Sequence, residues 1–251
     1  MFVDRLLATL IHLRHGVTHD VLACWFDVDR STITRAIGEV RPLLAERGCT
    51  TSPGVRLRTL AEVIDHLGSC GQTGIIDGTE IRVRRPAAGR KDRDKFISGK
   101  NKQNAVKAMV LTDQNGRMLF SSPATPGSCA DITHARQLGL VKLLADGPAV
   151  KILADVGYQG LGAQTGGRVV TPPHRKFKKN APDWYEEMHE RQCKAHSSRR
   201  IRVEHGIAHL KNWRALARHL GRRDHISDMV QAVASLLSHQ QTADLNPRRQ
   251  G

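Results

Sequence analysis

An α/β fold preceded by an all-helical segment is what this 251-residue sequence predicts, on three observations. Residues 3–48 place apolar side chains at helical spacing between capping residues. From residue 73 the pattern changes to period two and short apolar runs, in "GIIDGTEIRV", "NAVKAMVLTD" and "RMLFSSPA". Helical and short-strand patterns then follow, so the sheet is expected to be mixed rather than built from strictly alternating units. A chain of this length can bury a good-sized core in one or two domains.

The helical segment divides at its turn residues. Leu6, Leu7, Leu10, Ile11 and Leu13 mark a first helix stopping near Gly16. Thr18 is placed to cap a short second helix, "HDVLACWF". Asp29 is placed to cap a longer third, "RSTITRAIGEVRPLLAER", with Pro42 as an expected kink. A short helix, a tight turn and a longer helix fronted by Ser, Thr and Arg make the outline of a helix-turn-helix. Ala23 takes the small inter-helix position, Val28 the turn, and Ile33 and Ile37 the inward side. Asp27 stands where the turn often has glycine. On this reading Ser31, Thr32, Thr34 and Arg35 face DNA; an ordinary three-helix packing unit is the alternative.

Residues 51–72 read as a linker holding one short helix, "LAEVIDHLG". The three strands follow, the last two joined by a tight turn at "QNG". "CADITHARQLGLVKLLADG" reads as one helix opened or capped by Asp131, and "VKILADVGYQG" as a short buried strand running into a turn. Residues 163–195 begin rich in Gly, Pro and Lys and end as a helix; a separate long helix is expected over 198–220 and an amphipathic one in "SDMVQAVASLLSHQQ".

The net charge of +15 and pI near 10.2 point to a polyanionic partner. That charge is concentrated: residues 82–107 carry ten Lys/Arg against two acids, and residues 168–223 fifteen against five. Five scattered cysteines without C-x-x-C spacing support neither a zinc ribbon nor a disulfide framework and suit a reducing compartment. Cys193 and His196 lack a second pair of ligands nearby. No stretch approaches the roughly 18 apolar residues of a membrane span, and the start resembles no signal peptide. The chain opens inside a helix, which leaves room for residues upstream.

Two apolar strands each deliver an aspartate near an end, Asp77 in "GIIDG" and Asp155 in "LADVGYQG". The end of a buried strand holds a catalytic carboxylate rigidly, although Asp77 could equally serve a hairpin turn and Asp155 close a strand. Glu204 is the only acid in "RRIRVEHGIAHLKNWR". At helical spacing Arg200, Glu204, Lys211 and Arg218 share a face bordering the stripe of Val203, Ile207, Leu210 and Ala217. Gly206 inside that helix suggests a close approach. Three converging carboxylates without balancing cations favour a hard divalent ion such as Mg²⁺, and the surrounding Arg and Lys suit phosphates. Such ions can activate a nucleophile and stabilise a leaving oxygen at phosphorus. Tyr158 reads as a packing residue, Trp213 as a core anchor or stacking platform, His205 and His209 as phosphate contacts or plain surface, and "HRKFKKN" as a DNA-contacting insertion.

Taken in order, "IIDGTEIRVRRP", "PGSCADI", "LADVGYQG" and "RVEHGIAHLKNWR" resemble the DDE transposases of bacterial insertion sequences, of the insertion-sequence-five type and its Harbinger-like relatives. The resemblance covers about residues 73–220. It implies an RNase H-like core and a catalytic, metal-holding triad of Asp77, Asp155 and Glu204. Mg²⁺ is the implied cofactor, with Mn²⁺ as a substitute, and no covalent protein–DNA intermediate forms. The family's Tyr-Arg-Glu-Lys signature is met by Arg200, Glu204 and Lys211, but its tyrosine position holds Ser197. The expected division is a helix-turn-helix domain over 1–50, a linker over 51–72, a catalytic domain over 73–222, and a C-terminal helix and tail over 223–251. Expected partners are double-stranded DNA, at terminal inverted repeats and a target site, and a second copy of the chain. Arg200, Lys211 and Arg214 are expected on DNA phosphates, and the location is the cytoplasm at the nucleoid. Two other readings share parts of this pattern: a catalytically inactive or domesticated DNA-binding protein, and an RNase H-like nuclease without strand transfer.

Overall fold

The structure, a computed structural model, describes residues 1–89, 91–177, 181–217, 219 and 221–244. Three helices open it: α1 (Phe2–His15), α2 (His19–Phe26) and α3 (Arg30–Glu46). Gly16 ends α1, and the Thr18 hydroxyl accepts from the Val21 amide at 3.4 Å to cap α2. Asp27, at φ 49, turns the chain in the left-handed region where glycine is usual. Asp29 stands at the N-cap of α3, but its side chain makes no capping bond there. Ala23, Ile33 and Ile37 are buried between these helices, as their spacing predicts.

A hairpin too short for a period-two pattern to announce comes next, β1 (Cys49–Ser52) with β2 (Val55–Leu57). Helix α4 (Leu60–Ser69) follows, opened by a reciprocal pair of bonds between Thr59 and Glu62. The main sheet comprises β3 (Gly74–Arg82), β4 (Ala105–Thr112), β5 (Met118–Ser121), β6 (Thr125–Pro126), β7 (Ile152–Leu153) and β8 (Val169–Val170). Its order is β5-β4-β3-β7-β8, with β6 also on β4. β3, β4 and β5 are antiparallel, whereas β7 and β8 run parallel to β3. The turn between β4 and β5 is held by the buried Asp113 carboxylate, which accepts from the Asn115 and Arg117 amides at 2.9 Å.

The single helix expected over 129–147 is two, α5 (Asp131–Gln137) and α6 (Leu140–Asp146). Gly139, at φ 77, breaks them apart. Asp131 does not cap α5; it is the first helical residue, after Ala130. A short α7 (Leu161–Gln164) precedes β8.

The two helices expected before and after residue 197 are one, α8 (Asp183–Lys211), 29 residues long. It ends at Lys211 rather than near 220, and α9 (Arg214–Ala217) is a separate turn. Gly206 seats α8 on the sheet: a Cβ there would lie 3.0 Å from the Gly116 carbonyl oxygen and 3.1 Å from Thr112. The last helix, α10 (Ile226–Ala243), buries Met229, Val230, Val233 and Leu237. They share one core cluster with Leu13 of α1, Val40 and Leu44 of α3, and Ile75 and Ile81 of β3. Helix α3 and the sheet therefore pack through α10. On the other face of the sheet, Ile76, Met109 and Leu111 pack with α4 and α6. Among the described residues no helix is long and apolar enough to cross a membrane.

Candidate active site

Period two along β3 sends Asp77 to the α8 side of the sheet and Gly78 to the α5 side. β7 pairs with β3 only at Gly74 and Ile75, so Asp77 and the residue two beyond β7, Asp155, emerge side by side where that pairing stops. Asp77 Oδ1 accepts from the Gly78 amide at 2.8 Å, and Asp155 Oδ1 from the Gly157 amide at 2.5 Å.

α8 clamps both strands. Arg200 donates to Asp77 Oδ2 at 3.1 Å from a side chain only 9% exposed. One turn earlier, His196 Nε2 lies 2.8 Å from the Ala154 carbonyl oxygen. A carbonyl can only accept, so the proton sits on Nε2 and holds the residue next to Asp155.

A third carboxylate arrives through the sheet. Gly78 has no side chain, and a Cβ there would stand 2.6 Å from Asp131 Oδ1. A Cβ on Gly157 would stand 3.0 Å from Asp131 Oδ2 and 3.6 Å from Asp155 Oδ1. Asp131 thus fills the gap between two glycines beside Asp77 and Asp155, and Lys107 Nζ pairs with it at 3.0 Å while donating to the Cys129 carbonyl. Burial first, then Asp155 and Asp131, push the Asp77 carboxyl up to about 6, against the pull of Arg200 and the Gly78 amide. Tyr158 lies fully buried beneath the three acids, and burial with their charges holds its hydroxyl well above its ordinary value. A group so reluctant to ionise is a packing residue and not a nucleophile.

The other expected residues are placed as follows. Glu204, one turn beyond Arg200, is exposed, and the structure does not bring it into contact with Asp77 or Asp155. Among the described residues no three His, Cys, Asp or Glu side chains stand close enough to hold one metal ion between them. Lys211 is exposed and shares a cleft of about 140 Å³ with Glu80 and Arg82. Arg214 is exposed at the start of α9, where its Cβ approaches the end of α1 at Gly16. Ser31, Thr34 and Arg35 are exposed along the front of α3 and Thr32 is half-buried. Trp213 is a buried anchor with Arg14 over its ring. Arg218 and part of "HRKFKKN" lie outside the described residues. Sequence reasoning reaches Asp131, as the residue that opens or caps a helix with a supporting role at the acids as the alternative, and misses Lys107 and His196. The signals joining the three are faint, two glycines following two acids and a histidine four residues before Arg200.

The donors suit a hard divalent ion. Asp77 and Asp155 offer oxygen atoms only, and Asp131 stands beside both across Gly78 and Gly157. Magnesium-type sites need one or two carboxylates, with water and substrate phosphate completing the shell. The residues present fit that requirement.

Residues 76–238 match the family model described as DDE superfamily endonuclease. Residues 1–50 match the helix-turn-helix of DDE superfamily endonuclease. A protein of Streptomyces albus G, named provisionally as the transposase for insertion sequence element IS112, is 28% identical over 216 residues, covering 85% of this chain and 70% of that protein. Two structures of Mos1 assemblies, the strand transfer complex and a pre-cleavage transpososome, overlap 96% and 84% of this chain and 77% and 78% of theirs. Their identities are 12% and 13% and their TM-scores 0.21 and 0.22. With its helix-turn-helix and with Asp77 and Asp155 inside the matched segments, the chain belongs to the DDE endonuclease superfamily of transposases.

Proposed function

We propose that this transposase, of the insertion-sequence-five type, binds the terminal inverted repeats of its element through α3 and cuts and joins DNA there. The reaction is Mg²⁺-dependent phosphoryl transfer. The observation that carries the proposal is the juxtaposition of Asp77 and Asp155 at the edge of one short parallel pairing, clamped from α8.

In this reading Asp77 and Asp155 hold the metal and Glu204 is the third acid, its exposed position leaving it open to ligands arriving from solvent. Two Mg²⁺ ions, when bound, supply activation of a water or 3′-hydroxyl and stabilisation of the leaving oxygen. Arg200 balances Asp77 until then and orients its carboxylate, His196 fixes the backbone ahead of Asp155, and Lys107 with Asp131 braces the floor of the site. Lys211 meets DNA phosphate. Cutting both ends of an element takes two active sites, so the working form is a homodimer acting at the nucleoid.

The test is Mg²⁺-dependent cleavage of a labelled duplex carrying the element's end, wild type beside Glu204→Gln. Cutting by wild type alone supports the mechanism and the place of Glu204 in it. Binding without cutting by either protein moves the reading to a non-catalytic DNA-binding protein. Cutting that never yields a joined product moves it to a nuclease.

A further inference from the structure

Beyond Asp77, β3 leads toward a second concentration of charge. Arg84 and Arg85 line an open cleft of about 520 Å³ together with Arg222 and Arg223, and Asp224 is the one acid among its described lining residues. Arg223 is built into the wall: it donates to the Arg84 carbonyl at 3.2 Å and lies 4.7 Å over the Phe96 ring. Arg222 pairs with Asp224 at 3.0 Å, both well exposed. Arg84 and Arg85 are exposed. The His219 amide donates to the Arg82 carbonyl at 2.8 Å, and Val83 bridges to His219, which fastens the two arginine pairs to each other.

We infer that this four-arginine cleft is a phosphate-backbone site for the DNA duplex engaged at Asp77 and Asp155, touching it about 20 Å from the cut. The inference rests on the transposase reading. Four guanidiniums facing one cleft repel one another, and a single acid leaves most of that charge unbalanced; a polyanion removes the penalty. The planar fork of arginine matches phosphate oxygens in pairs. Among the described residues lining the cleft no aromatic offers a stacking platform for an unpaired base, which suits the backbone of a duplex.

The distance comes from the strand and the helix together. Asp77 to Arg82 is five strand residues, about 16 Å at the usual rise. Arg200, which touches Asp77, to Lys211, which shares a cleft with Arg82, is eleven helical residues, about 16 Å as well. β3 and α8 therefore run the same way from the acids, and Arg82 with Lys211 stands on the way to the arginines. Two residues further along the chain, Arg84 is about 20 Å from Asp77, or roughly six base steps along a duplex axis.

The experiment compares wild type with Arg85→Ala/Arg222→Ala by titrating a labelled duplex at several salt concentrations in chelator, where no cutting occurs. The expected result is a slope of log affinity against log salt shallower by about 2 in the variant, close to 0.9 for each phosphate no longer neutralised. Single methylphosphonates placed along both strands should weaken wild type at about six base pairs from the cut and leave the variant unaffected there. An unchanged slope, or no difference at those positions, overturns the inference. A wild type that cuts and joins while the variant keeps the full slope sinks the cleft alone. A wild type that shows the slope difference yet never cuts sinks the transposase reading and keeps the cleft as a polyanion site.

Discussion

Arg200 and Asp77 form an ion pair at 3.1 Å in which neither side chain is more than 20% exposed, so little water screens it. The pair is nonetheless unbalanced. Burial and the neighbouring Asp155 and Asp131 outweigh Arg200 and hold the Asp77 carboxyl at about 6. The fold therefore prefers a neutral group at 77 while the chemistry needs a charged one. Asp77→Asn should abolish cleavage, leave DNA binding intact and raise Tm at pH 8, by about 2–4 °C for each kcal/mol relieved. A lower Tm, read by calorimetry, would mean that the pair with Arg200 dominates.

The same imbalance gives a pH dependence with a definite sign. A carboxyl raised from 3.8 to about 6 by folding binds more protons in the folded state between those values. Its contribution to stability is therefore most favourable below about 4 and is lost as pH rises through 6. Cleavage runs the opposite way and falls as pH drops through about 6, because a protonated Asp77 cannot hold a cation. Removing the cation with Arg200→Ala should move that acid limb to higher pH. A limb that stays put in the pH–rate profile would separate Arg200 from the reacting acid.

Gly206→Ala sets two principles against each other. Helix propensity favours alanine by about 1 kcal/mol. The new Cβ, however, would press on the Gly116 carbonyl oxygen at 3.0 Å and on Thr112 at 3.1 Å. Backbone cannot yield as a flexible side chain can, so we expect a net loss of about 1–3 kcal/mol. Urea denaturation would show it; a gain would mean that α8 lifts freely off the β4–β5 turn.

His196→Ala should leave the buried Ala154 carbonyl without its donor, costing about 1–3 kcal/mol. Because that carbonyl precedes Asp155, cleavage should fall by more than the folded fraction does. His196→Gln, which restores a donor, should recover part of it. Equal losses in folding and cleavage for both variants would make His196 a packing residue only.

Much of the fold is legible residue by residue. The Thr18 cap and the turn of α1–α3, the three antiparallel strands, and Asp155 just past a short buried strand follow from local spacing, whereas Asp77 lies inside β3, which runs on to Arg82. What escapes depends on partners distant in sequence. Local spacing divides α8 because Ser197 and Ser198 weaken a helix there, whereas His196 and Arg200 on either side of that pair hold it to two strands. Asp131 looks like a helix cap because nothing nearby in sequence shows that Gly78 leaves a gap for it. Glu204 itself is exposed one turn beyond the buried Arg200, and Asp131, which stands beside Asp77 and Asp155, comes from the opposite side of the sheet.

The packing of α3 on α10 makes the protein a caliper. Val40 and Leu44 of α3 share a core with Met229 and Val233 of α10 and with Ile75, two residues before Asp77, and the nearly buried Arg41 reaches Asp228. The proposed reading jaw, α3, and the proposed cutting jaw at Asp77 thus share one core. On the proposed function, the spacing within one subunit between bases under α3 and a phosphate at Asp77 would be set by this shared core. One base pair added between them would turn the duplex by about a tenth of a revolution, presenting a phosphate out of phase with the acids. On that proposal, an element could vary its interior freely, but not the count of base pairs from its recognised sequence to its tip.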